Sequence, residues 1–176
     1  LLPKGTCIRP LHLALLASGG ITEVLVKRTP TVAYIPTGSE LIPIGETPKR
    51  GENIEANGIM VKHMLNEMGA TPICYPIVRD DCAKIKESMY DALEKADIVL
   101  LNGGTCKGEE DFSISVIENE GELLCHGIQV MSSIPIAIGI VRGKPVINLP
   151  GPTLTAYYAV DWCVRAVVAH FMNELP

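Results

Sequence analysis

The stretch DIVLLNGG, residues 97–104, decides the fold class of this chain. One acid precedes a continuous apolar run, which is typical of a parallel strand covered on both faces. Two glycines follow directly and predict a loop at the end of that strand. A strand of this kind requires helices on both sides of its sheet, and the flanking sequence supplies them.

Strand and helix patterns alternate on either side of this stretch. The run TVAYI at 31–35 predicts a strand, and the spacing of Val61, Met64, Leu65 and Met68 predicts a helix over 54–68. The other predicted elements are strands at 70–77, 123–130, 136–141 and 145–149, and helices at 83–96, 112–119 and 153–172. The alternation predicts a three-layer α/β/α sandwich with a mostly parallel central sheet.

Residues 1–30 stand outside this alternation. They suggest a strand at 5–8, a short helix at 10–17 and a strand at 23–26, followed by Thr29 and Pro30. The chain also begins with Leu rather than Met. We expect residues 1–30 to be the end of a preceding domain and its linker, with the main domain spanning 31–176.

Composition narrows the class of partner. The chain has 176 residues with 47% hydrophobic residues and a net charge of -5, so no general basic surface is expected to hold a nucleic acid. The uncharged stretch 123–141 is interrupted by glycines, a proline and polar residues, so we expect no membrane span. Six cysteines without a C-x-x-C pair predict reduced, mostly buried thiols in a cytoplasmic protein.

Two loops that follow predicted strands carry acids and hydroxyls. The first, PTGSEL at 36–41, makes Thr37, Gly38, Ser39 and Glu40 candidate ligand residues, with a plain structural turn as the alternative. The second, VRDD at 78–81, offers two acids before a helix. Helix capping accounts for Asp81, so Asp80 is the functional candidate.

Two further loops carry glycines that could approach an anion. In the loop after residue 102 the candidates are Gly103, Gly104, Thr105, Lys107, Gly108 and Asp111, whose glycines let backbone N–H groups approach a phosphate. Asp111 could hold a divalent metal there, or merely favour the helix start. The loop at 148–155 adds Gly151 and Thr155, with capping by Thr153 as the structural alternative. His126 is expected to be a core or edge residue, and Cys106 is not expected to be a nucleophile.

Together these motifs identify a family resemblance. The segments TGSEL (37–41), GENIEANG (51–58), VRDD (78–81), ADIVLLNGGTCKGEEDF (96–112) and NLPG (148–151) resemble the molybdopterin-binding fold of the MoeA/gephyrin-type molybdenum insertases and the MogA-type adenylyltransferases. The leading segments LLPKGTCIRP (1–10) and LALLASGGITEVLV (13–26) favour the insertase branch, a class of transferases.

The resemblance implies magnesium-assisted hydrolysis of adenylylated molybdopterin, with insertion of molybdate. It implies that Thr37, Gly38 and Glu40 line the ligand site and that Glu55 stands where insertases usually place an Asp. It further matches Asp80 and Asp111 to acids that handle metal and phosphate, Gly103, Gly104 and Thr105 to the pterin-site loop, and Gly151 to a second anion turn. A homodimer is also implied.

Three segments depart from the family pattern. The usual Lys-Pro-Gly-Lys-Pro segment is replaced by MSSIP at 131–135, and the usual Gly-Asn-Pro-x-Ser turn by GPTLT at 151–155. The loop pair Thr105 and Cys106 also differs, and Lys107 could replace one missing cation. We therefore weigh an insertase-like enzyme against a non-catalytic pterin-binding or carrier module, with a CinA-like nucleotide pyrophosphatase as a third alternative.

Overall fold

The fold is built on a six-stranded sheet. The structure is a computed structural model that describes residues 2–103, 112–129 and 134–172. The strands are β1 (Thr31–Pro36), β2 (Leu41–Ile42), β3 (Asn53–Ile54), β4 (Thr71–Cys74), β5 (Ile98–Asn102), β6 (Glu122–Ile128), β7 (Ile134–Val141) and β8 (Lys144–Leu149). The helices are α1 (Pro10–Ser18), α2 (Asn57–Glu67), α3 (Cys82–Lys95), α4 (Phe112–Glu120), α5 (Thr153–Ala159) and α6 (Arg165–Met172), with a π-helical turn (Val160–Val164) between the last two.

The order of the strands confirms the predicted sheet. They follow one another as β4, β1, β5, β8, β7 and β6. β1 pairs in parallel with β4 and β5, and β5 pairs in parallel with β8. Of these six strands only β7 runs in the opposite direction, antiparallel to β6 and β8. The sheet is therefore mostly parallel, as expected.

Helices cover both faces of this sheet. On one face, Val61 and Leu65 of α2 and Val164 of the π-helical turn pack against Tyr34 and Leu100. On the other face, α3 and α4 contribute the buried residues Ile85, Met89, Val116 and Ile117. Every residue of β5 is buried, which is the condition that its continuous apolar run predicted. The three-layer α/β/α sandwich is confirmed.

Two element boundaries differ from the prediction for reasons visible in the chain. α2 begins at Asn57 rather than 54, because β3 pairs in parallel with β2 in a small second sheet. β4 ends at Cys74 rather than 77, because Pro76 carries no N–H and the chain rejoins the end of β1 only when the amide of Val78 donates to Pro36.

Residues 2–30 contain one of the three elements predicted for them. α1 is present but has no buried residue. The predicted strands at 5–8 and 23–26 are absent, and residues 21–29 are all exposed, so no neighbouring strand pairs with them. The domain boundary at residue 30 stays a prediction.

We call the end of the sheet where the parallel strands begin the amino edge, and charged side chains close it. The Arg28 guanidinium donates two hydrogen bonds, of 2.6 and 2.7 Å, to the carboxylate of Asp97. The same carboxylate accepts from the amide of Thr31 at 2.8 Å. Arg28 is the main cause that lowers the pKa of Asp97 below its ordinary value.

The hairpin between β7 and β8 makes a second set of charged contacts at the amino edge. Its turn passes through Arg142 and Gly143, both with positive φ, as a tight two-residue hairpin turn requires. The guanidinium carbon of Arg142 lies 3.8 Å from the ring centre of Tyr90 on α3. The ammonium of Lys144 donates to the carbonyls of Leu93 and Ala96, at the end of α3.

No described cysteine takes part in a disulfide, and the expectation that the cysteines are mostly buried is wrong. Cys7, Cys74 and Cys82 are exposed, and Cys125 and Cys163 are half-buried. Cys74 ends β4, Cys82 begins α3 and Cys125 lies on the edge strand β6, so these three are outside the core. Cys106 lies outside the described residues. Among the helices that the structure describes, none is both long and apolar enough to cross a membrane.

Candidate functional site

We call the end of the sheet where the parallel strands finish the carboxyl edge, and it gathers the candidate loops. The chain leaves β1 at Thr37, β5 at Gly103 and β8 at Pro150. Neighbouring parallel strands end side by side, so these three departures are adjacent. Ligands of such sheets bind at this edge.

Backbone hydrogen bonds hold the ends of these three strands close together. The amide of Thr37 donates to the carbonyl of Asn102 at 2.8 Å, and the amide of Gly103 donates to Leu149 at 3.2 Å. Gly103 has a φ of +129°. A Cβ at Gly103 would collide with the carbonyl of Thr37 and lie 2.8 Å from its hydroxyl. Only glycine fits this position, because both the backbone angle and the space exclude a side chain.

The side-chain amide of Asn102 is the centre of a buried polar network at this edge. Its Nδ2 donates to the carbonyls of Leu149 (3.2 Å) and Pro150 (2.7 Å). Its Oδ1 accepts from Nδ2 of Asn57 at 2.9 Å and from the hydroxyl of Tyr34 at 2.6 Å. All four hydrogen-bonding positions of this amide are therefore filled, and they join four segments of the chain.

Asn57 and Glu55 extend this network toward the surface. Asn57, which is 8% exposed, also donates to the carbonyl of Gly151 at 2.8 Å, so it joins the start of α2 to the fourth candidate loop. Oε1 of Glu55 accepts from the amide of Gly58 at 2.8 Å and lies 2.9 Å from the Tyr34 hydroxyl. Burial, reinforced by the Glu55 carboxylate, raises the pKa of Tyr34 well above its usual range. Tyr34 thus keeps its proton and acts as a donor.

The first two candidate loops pair with each other. Oδ2 of Asp80 accepts from the amide of Ser39 at 2.8 Å, and the amide of Asp80 donates to the Ser39 hydroxyl at 3.1 Å. Asp81 caps α3 by accepting from the amides of Ala83 and Lys84, as expected. Glu40 is exposed, and its carboxylate folds back over Gly38, where a Cβ would lie 2.8 and 2.9 Å from its two oxygens.

The other candidates divide between described and undescribed positions. Gly151 is exposed at the end of β8, and Thr155 is half-buried in α5. The expectation that Thr153 caps α5 is wrong, since Pro152 occupies the cap without a side-chain hydrogen bond. His126 is exposed on the edge strand β6, in accord with an edge role. Outside the described residues lie Gly104, Thr105, Lys107, Gly108 and Asp111, and Met131, Ser132 and Ser133 of the altered lysine segment.

An apolar cavity of about 510 Å³ opens beside Glu55. Most of its wall consists of rigid or aliphatic side chains: Pro36, Leu41, Pro43, Ile44, Pro76 and Ile77. Glu55 and Arg79 are the charged residues of its lining. The ring of Tyr75 also lines it, while the hydroxyl of Tyr75 donates to Asp91 at 2.7 Å.

Several polar residues of this edge were not predicted as site residues. Tyr34, Asn57 and Asn102 form the network, and the buried hydroxyl of Ser113 lies 3.4 Å from that of Thr37. Asn148 in β8 is fully buried, and both polar atoms of its amide lack a partner within the described part of the chain. One signal was available: Asn102 ends an apolar run and Asn148 interrupts another, and buried polar groups require partners.

Comparison with known proteins gives a consistent family. The family profile described as "Probable molybdopterin binding domain" matches residues 33–170. A putative molybdopterin biosynthesis protein of Methanocaldococcus jannaschii is 33% identical over 158 residues, which cover 85% of this chain and 39% of that protein. The molybdopterin molybdenumtransferase of Haemophilus influenzae is 29% identical over 98% of this chain and 43% of its own length.

Solved structures agree with the sequence relatives. A molybdopterin biosynthesis MoeA protein of Pyrococcus horikoshii is 33% identical and superposes with a TM-score of 0.85, over 98% of this chain and 43% of that one. The MoaB protein of Pyrococcus furiosus, at 20% identity and a TM-score of 0.60, shares the fold. This chain thus spans about two fifths of the length of its insertase-type relatives. With the profile covering most of its residues, the chain belongs to the family of molybdopterin-binding domains.

Proposed function

We propose that this domain binds molybdopterin or its adenylylated form at the carboxyl edge and takes part in the insertion of molybdate. The observation that carries the proposal is a hydrogen-bonded network around Asn102. Asn57 donates to the side-chain amide oxygen of Asn102 and to the carbonyl of Gly151. The backbone amide of Thr37 donates to the backbone carbonyl of Asn102, and that of Gly103, the next residue, donates to Leu149. Described residues of four segments that resemble the family's ligand segments are thereby joined at one edge of the sheet. The buried polar groups that join these segments are backbone and neutral side-chain groups, and the carboxylates of Glu40, Glu55 and Asp80 lie beside them, which suits an elongated ligand with several polar edges.

Magnesium fits the acids at this edge. Magnesium prefers hard oxygen ligands and is commonly held by one or two carboxylates together with substrate phosphates. Asp80 and Glu40 flank the turn at 37–39, and each has carboxylate oxygen that receives no hydrogen bond within the described residues. No group of three or more metal-binding side chains occurs in that part of the chain, so the ligand and water would complete the coordination. A bound magnesium would neutralise phosphate charge.

The roles of the protein's own residues follow from this arrangement. Ser39 holds Asp80 toward the turn through its amide, and Gly103 lets the chain pass close to Thr37. Asp111, with the glycines and Thr105 of its loop, would add phosphate contacts as the family resemblance implies. Gly151 and Thr155 would serve a second anionic group, and Lys107 would supply a cation near the first.

A non-catalytic pterin-binding module is the second candidate. It is favoured by the segment 131–135, which reads MSSIP and lacks the two lysines usual in insertases. Two missing cations beside an anionic ligand would remove charge-assisted hydrogen bonds worth roughly 1.5–3 kcal/mol each. Such a loss would affect turnover more than recognition of the heterocycle.

We further propose a cytoplasmic homodimer. Support for the dimer comes from the outer side of the last helical segment, where Leu154, Tyr158 and Trp162 are exposed at successive intervals of four residues. The rings of Tyr158 and Trp162 lie 5.1 Å apart and form a continuous apolar patch. Sedimentation equilibrium of the wild type and of Trp162→Lys tests this proposal. A wild type that stays monomeric at a protein concentration of about 100 μM, on the order of the dissociation constant of a weak dimer, refutes it.

The central experiment follows the release of AMP from adenylylated molybdopterin. We expect release that requires both magnesium and molybdate. Asp111→Asn should lower the magnesium-dependent rate, whereas Glu118→Gln, an exposed acid on α4, serves as the matched control. Tight binding without AMP release would overturn the insertase function and favour the non-catalytic module. Absence of binding would overturn both.

A further inference from the structure

A turn between the two short strands β2 and β3 carries adjacent positive charges. Lys49, Arg50, Gly51 and Glu52 form a β-turn in which the amide of Glu52 donates to the carbonyl of Lys49 at 3.0 Å. Gly51, the third residue of this turn, has a φ of +90°, in the left-handed region that a type II turn requires there. The Glu52 carboxylate also accepts from the amide of Lys49, at 2.8 Å. Two hydrogen bonds therefore fix the backbone that presents Arg50 at the corner of the turn.

The register of the small second sheet places this turn beside the candidate site. Because β3 pairs in parallel with β2, the chain leaves β2 at Ile42, turns back over residues 43–52 and enters β3 beside the start of β2. The amide of Asn53 donates to the carbonyl of Glu40 at 2.8 Å. Arg50 precedes Asn53 by three residues, so the Cα atoms of the two residues lie at most about 11 Å apart. The Arg50 side chain thus begins on the Glu40 side of the carboxyl edge.

Arg50 differs from the other arginines of residues 31–172. Arg79, Arg142 and Arg165 each donate a hydrogen bond to a carbonyl or a carboxylate. Arg50 is exposed and donates to no group within the described residues. A guanidinium presents its N–H donors in a planar fork that matches two oxygens of a phosphate at once. A turn with a fixed backbone therefore carries an unused group that suits phosphate.

The charges of the carboxyl edge make such a group necessary for an anionic ligand. The carboxylates of Glu40, Glu55 and Asp80 oppose a phosphate that approaches without a cation. The segment 131–135 reads MSSIP and brings no lysine. Arg79 is partly engaged, since its Nη1 donates to a backbone carbonyl at 3.2 Å. Positive charge is therefore required from a metal or from another part of the chain.

We propose that Arg50, presented by the turn at 49–52, binds phosphate oxygens of the adenylylated ligand and supplies a cation that segment 131–135 does not. The inference rests on the proposed function and adds to it a residue from outside the four candidate loops. Lys49 adds a general attraction rather than a fixed contact, because an ammonium is a compact and strongly hydrated charge. Glu52 is a positioning residue, since its carboxylate holds the turn.

Calorimetric titration of the chain with adenylylated molybdopterin tests the role of Arg50. Arg50→Gln removes the charge and the fork but keeps a long polar side chain. The dissociation constant should rise about tenfold to a hundredfold, as the loss of charge-assisted hydrogen bonds implies. Arg50→Lys keeps the charge without the fork, so its dissociation constant should lie between those of the wild type and Arg50→Gln. Lys49→Gln should raise the dissociation constant by no more than about threefold.

The matched control is Lys95→Gln, which removes one exposed positive charge in the last turn of α3, at the amino edge. This variant should bind the ligand as the wild type does. An equal loss of affinity in Lys95→Gln and Arg50→Gln would overturn the proposal, because net charge alone would then govern binding. Urea unfolding of each variant identifies any loss of binding that follows from misfolding.

A double-mutant comparison tests the positioning role of Glu52. Glu52→Ala should raise the dissociation constant about threefold in the wild-type background and should have no further effect in Arg50→Gln, because it acts only through Arg50. Glu52→Gln keeps an acceptor oxygen for the amide of Lys49 and should restore most of the affinity. An equal loss in both backgrounds would overturn this role of Glu52.

Competition distinguishes the sources of the anion. AMP should compete at least about tenfold more weakly in Arg50→Gln than in the wild type, whereas competition by adenosine and by molybdate should be unchanged. A loss for molybdate without a loss for AMP would assign Arg50 to the free oxyanion and overturn the proposal. Wild-type and Arg50→Gln chains that bind adenylylated molybdopterin equally well refute this inference alone. A wild-type chain that does not bind this ligand refutes the proposed function as well.

Discussion

The two ends of the sheet are held together by different kinds of interaction. At the amino edge, charged side chains pair with one another or with helix ends, as Arg28 does with Asp97 and Lys144 with the last carbonyls of α3. At the carboxyl edge, the buried contacts are made by neutral groups, chiefly Asn102, Asn57 and Tyr34. The charged groups there, Glu40, Glu55 and Asp80, keep unused acceptor oxygens.

Because of this difference, we expect the amino edge to contribute to stability and the carboxyl edge to contribute to both stability and ligand binding. An ion pair that satisfies both of its members leaves little for a ligand to bind. A neutral network fixes the position of a loop while leaving nearby carboxylates free to accept. We therefore expect substitutions at the carboxyl edge to change both folding and binding, and those at the amino edge to change folding alone.

The largest contrast is expected between two glycines, one at each edge. Gly103→Ala at the carboxyl edge should lower the free energy of unfolding by roughly 3–5 kcal/mol, because it combines backbone strain with a collision against Thr37. Gly143→Ala at the amino edge has a φ of +75°, in the left-handed region, and open space around it, so it should cost only about 1 kcal/mol. Urea denaturation measures both, and equal losses would contradict the crowding of the carboxyl edge.

The next largest effect is expected at the centre of the neutral network. Asn102→Ala removes the donor to the carbonyl of Pro150, one of two donors to that of Leu149 and the acceptor of one N–H of Asn57, which should cost roughly 2–4 kcal/mol. Ligand binding should fall with it, since Asn57, which holds Gly151, and Tyr34, which contacts Glu55, lose their common partner. Tyr34→Phe removes one of these hydrogen bonds and is the graded control. If thermal unfolding in the two variants is the same, the bonds to Asn102 do not act together.

Asn148 offers a change in the opposite direction. Its buried amide lacks partners within the described residues, so Asn148→Leu should raise the free energy of unfolding by about 1–2 kcal/mol. Asn148→Asp, which buries a charge at the same place, should lower it. Chemical denaturation of the two variants measures the effect. Destabilisation by leucine would mean that the amide has a partner in the folded protein.

The smallest effect is expected at the amino edge and depends on pH. The pKa of Asp97 is lowered chiefly by Arg28, so the unfolded chain takes up its proton first as the pH falls. The pair therefore stabilises the fold above the ordinary aspartate pKa, and the contribution disappears as the pH drops through the lower folded-state value. Asp97→Asn should cost about 1 kcal/mol at neutral pH and should flatten this acid limb. An unchanged limb would assign the acid sensitivity to other carboxylates.

The structure of the two edges could be predicted from the sequence to different extents. The apolar run of β5 predicted a strand covered on both faces, and hydrophobic spacing predicted α2 and α3, because burial imposes a period on the sequence. The sequence also predicted that Asp81 caps α3, since the backbone amides that a cap accepts from lie two and three residues away in the chain. Contacts of short range in the chain were accordingly well predicted.

The sequence predicted the contacts at the carboxyl edge only in part. Asp80 was expected to be available for a ligand, yet one of its oxygens is engaged by Ser39, 41 residues away in the chain. Tyr34 was predicted only as part of the strand TVAYI, although its hydroxyl donates to Asn102, 68 residues away. No local pattern records such pairings. The roles of Asp111 and of the glycine loop around Thr105 stay predictions.

The sequence by itself determined the layered α/β fold, the strand-end loops that carry polar residues and the family to which they point, because each depends on local periodicity or on a short motif. The tertiary structure alone decided which of those residues meet. It brought Tyr34, Asn57 and Asn102 into one network and left Glu55 with acceptor capacity beside an apolar cavity. The physical reason is that hydrogen-bond satisfaction is a property of atoms in space, and parallel strands place residues far apart in the chain at one edge.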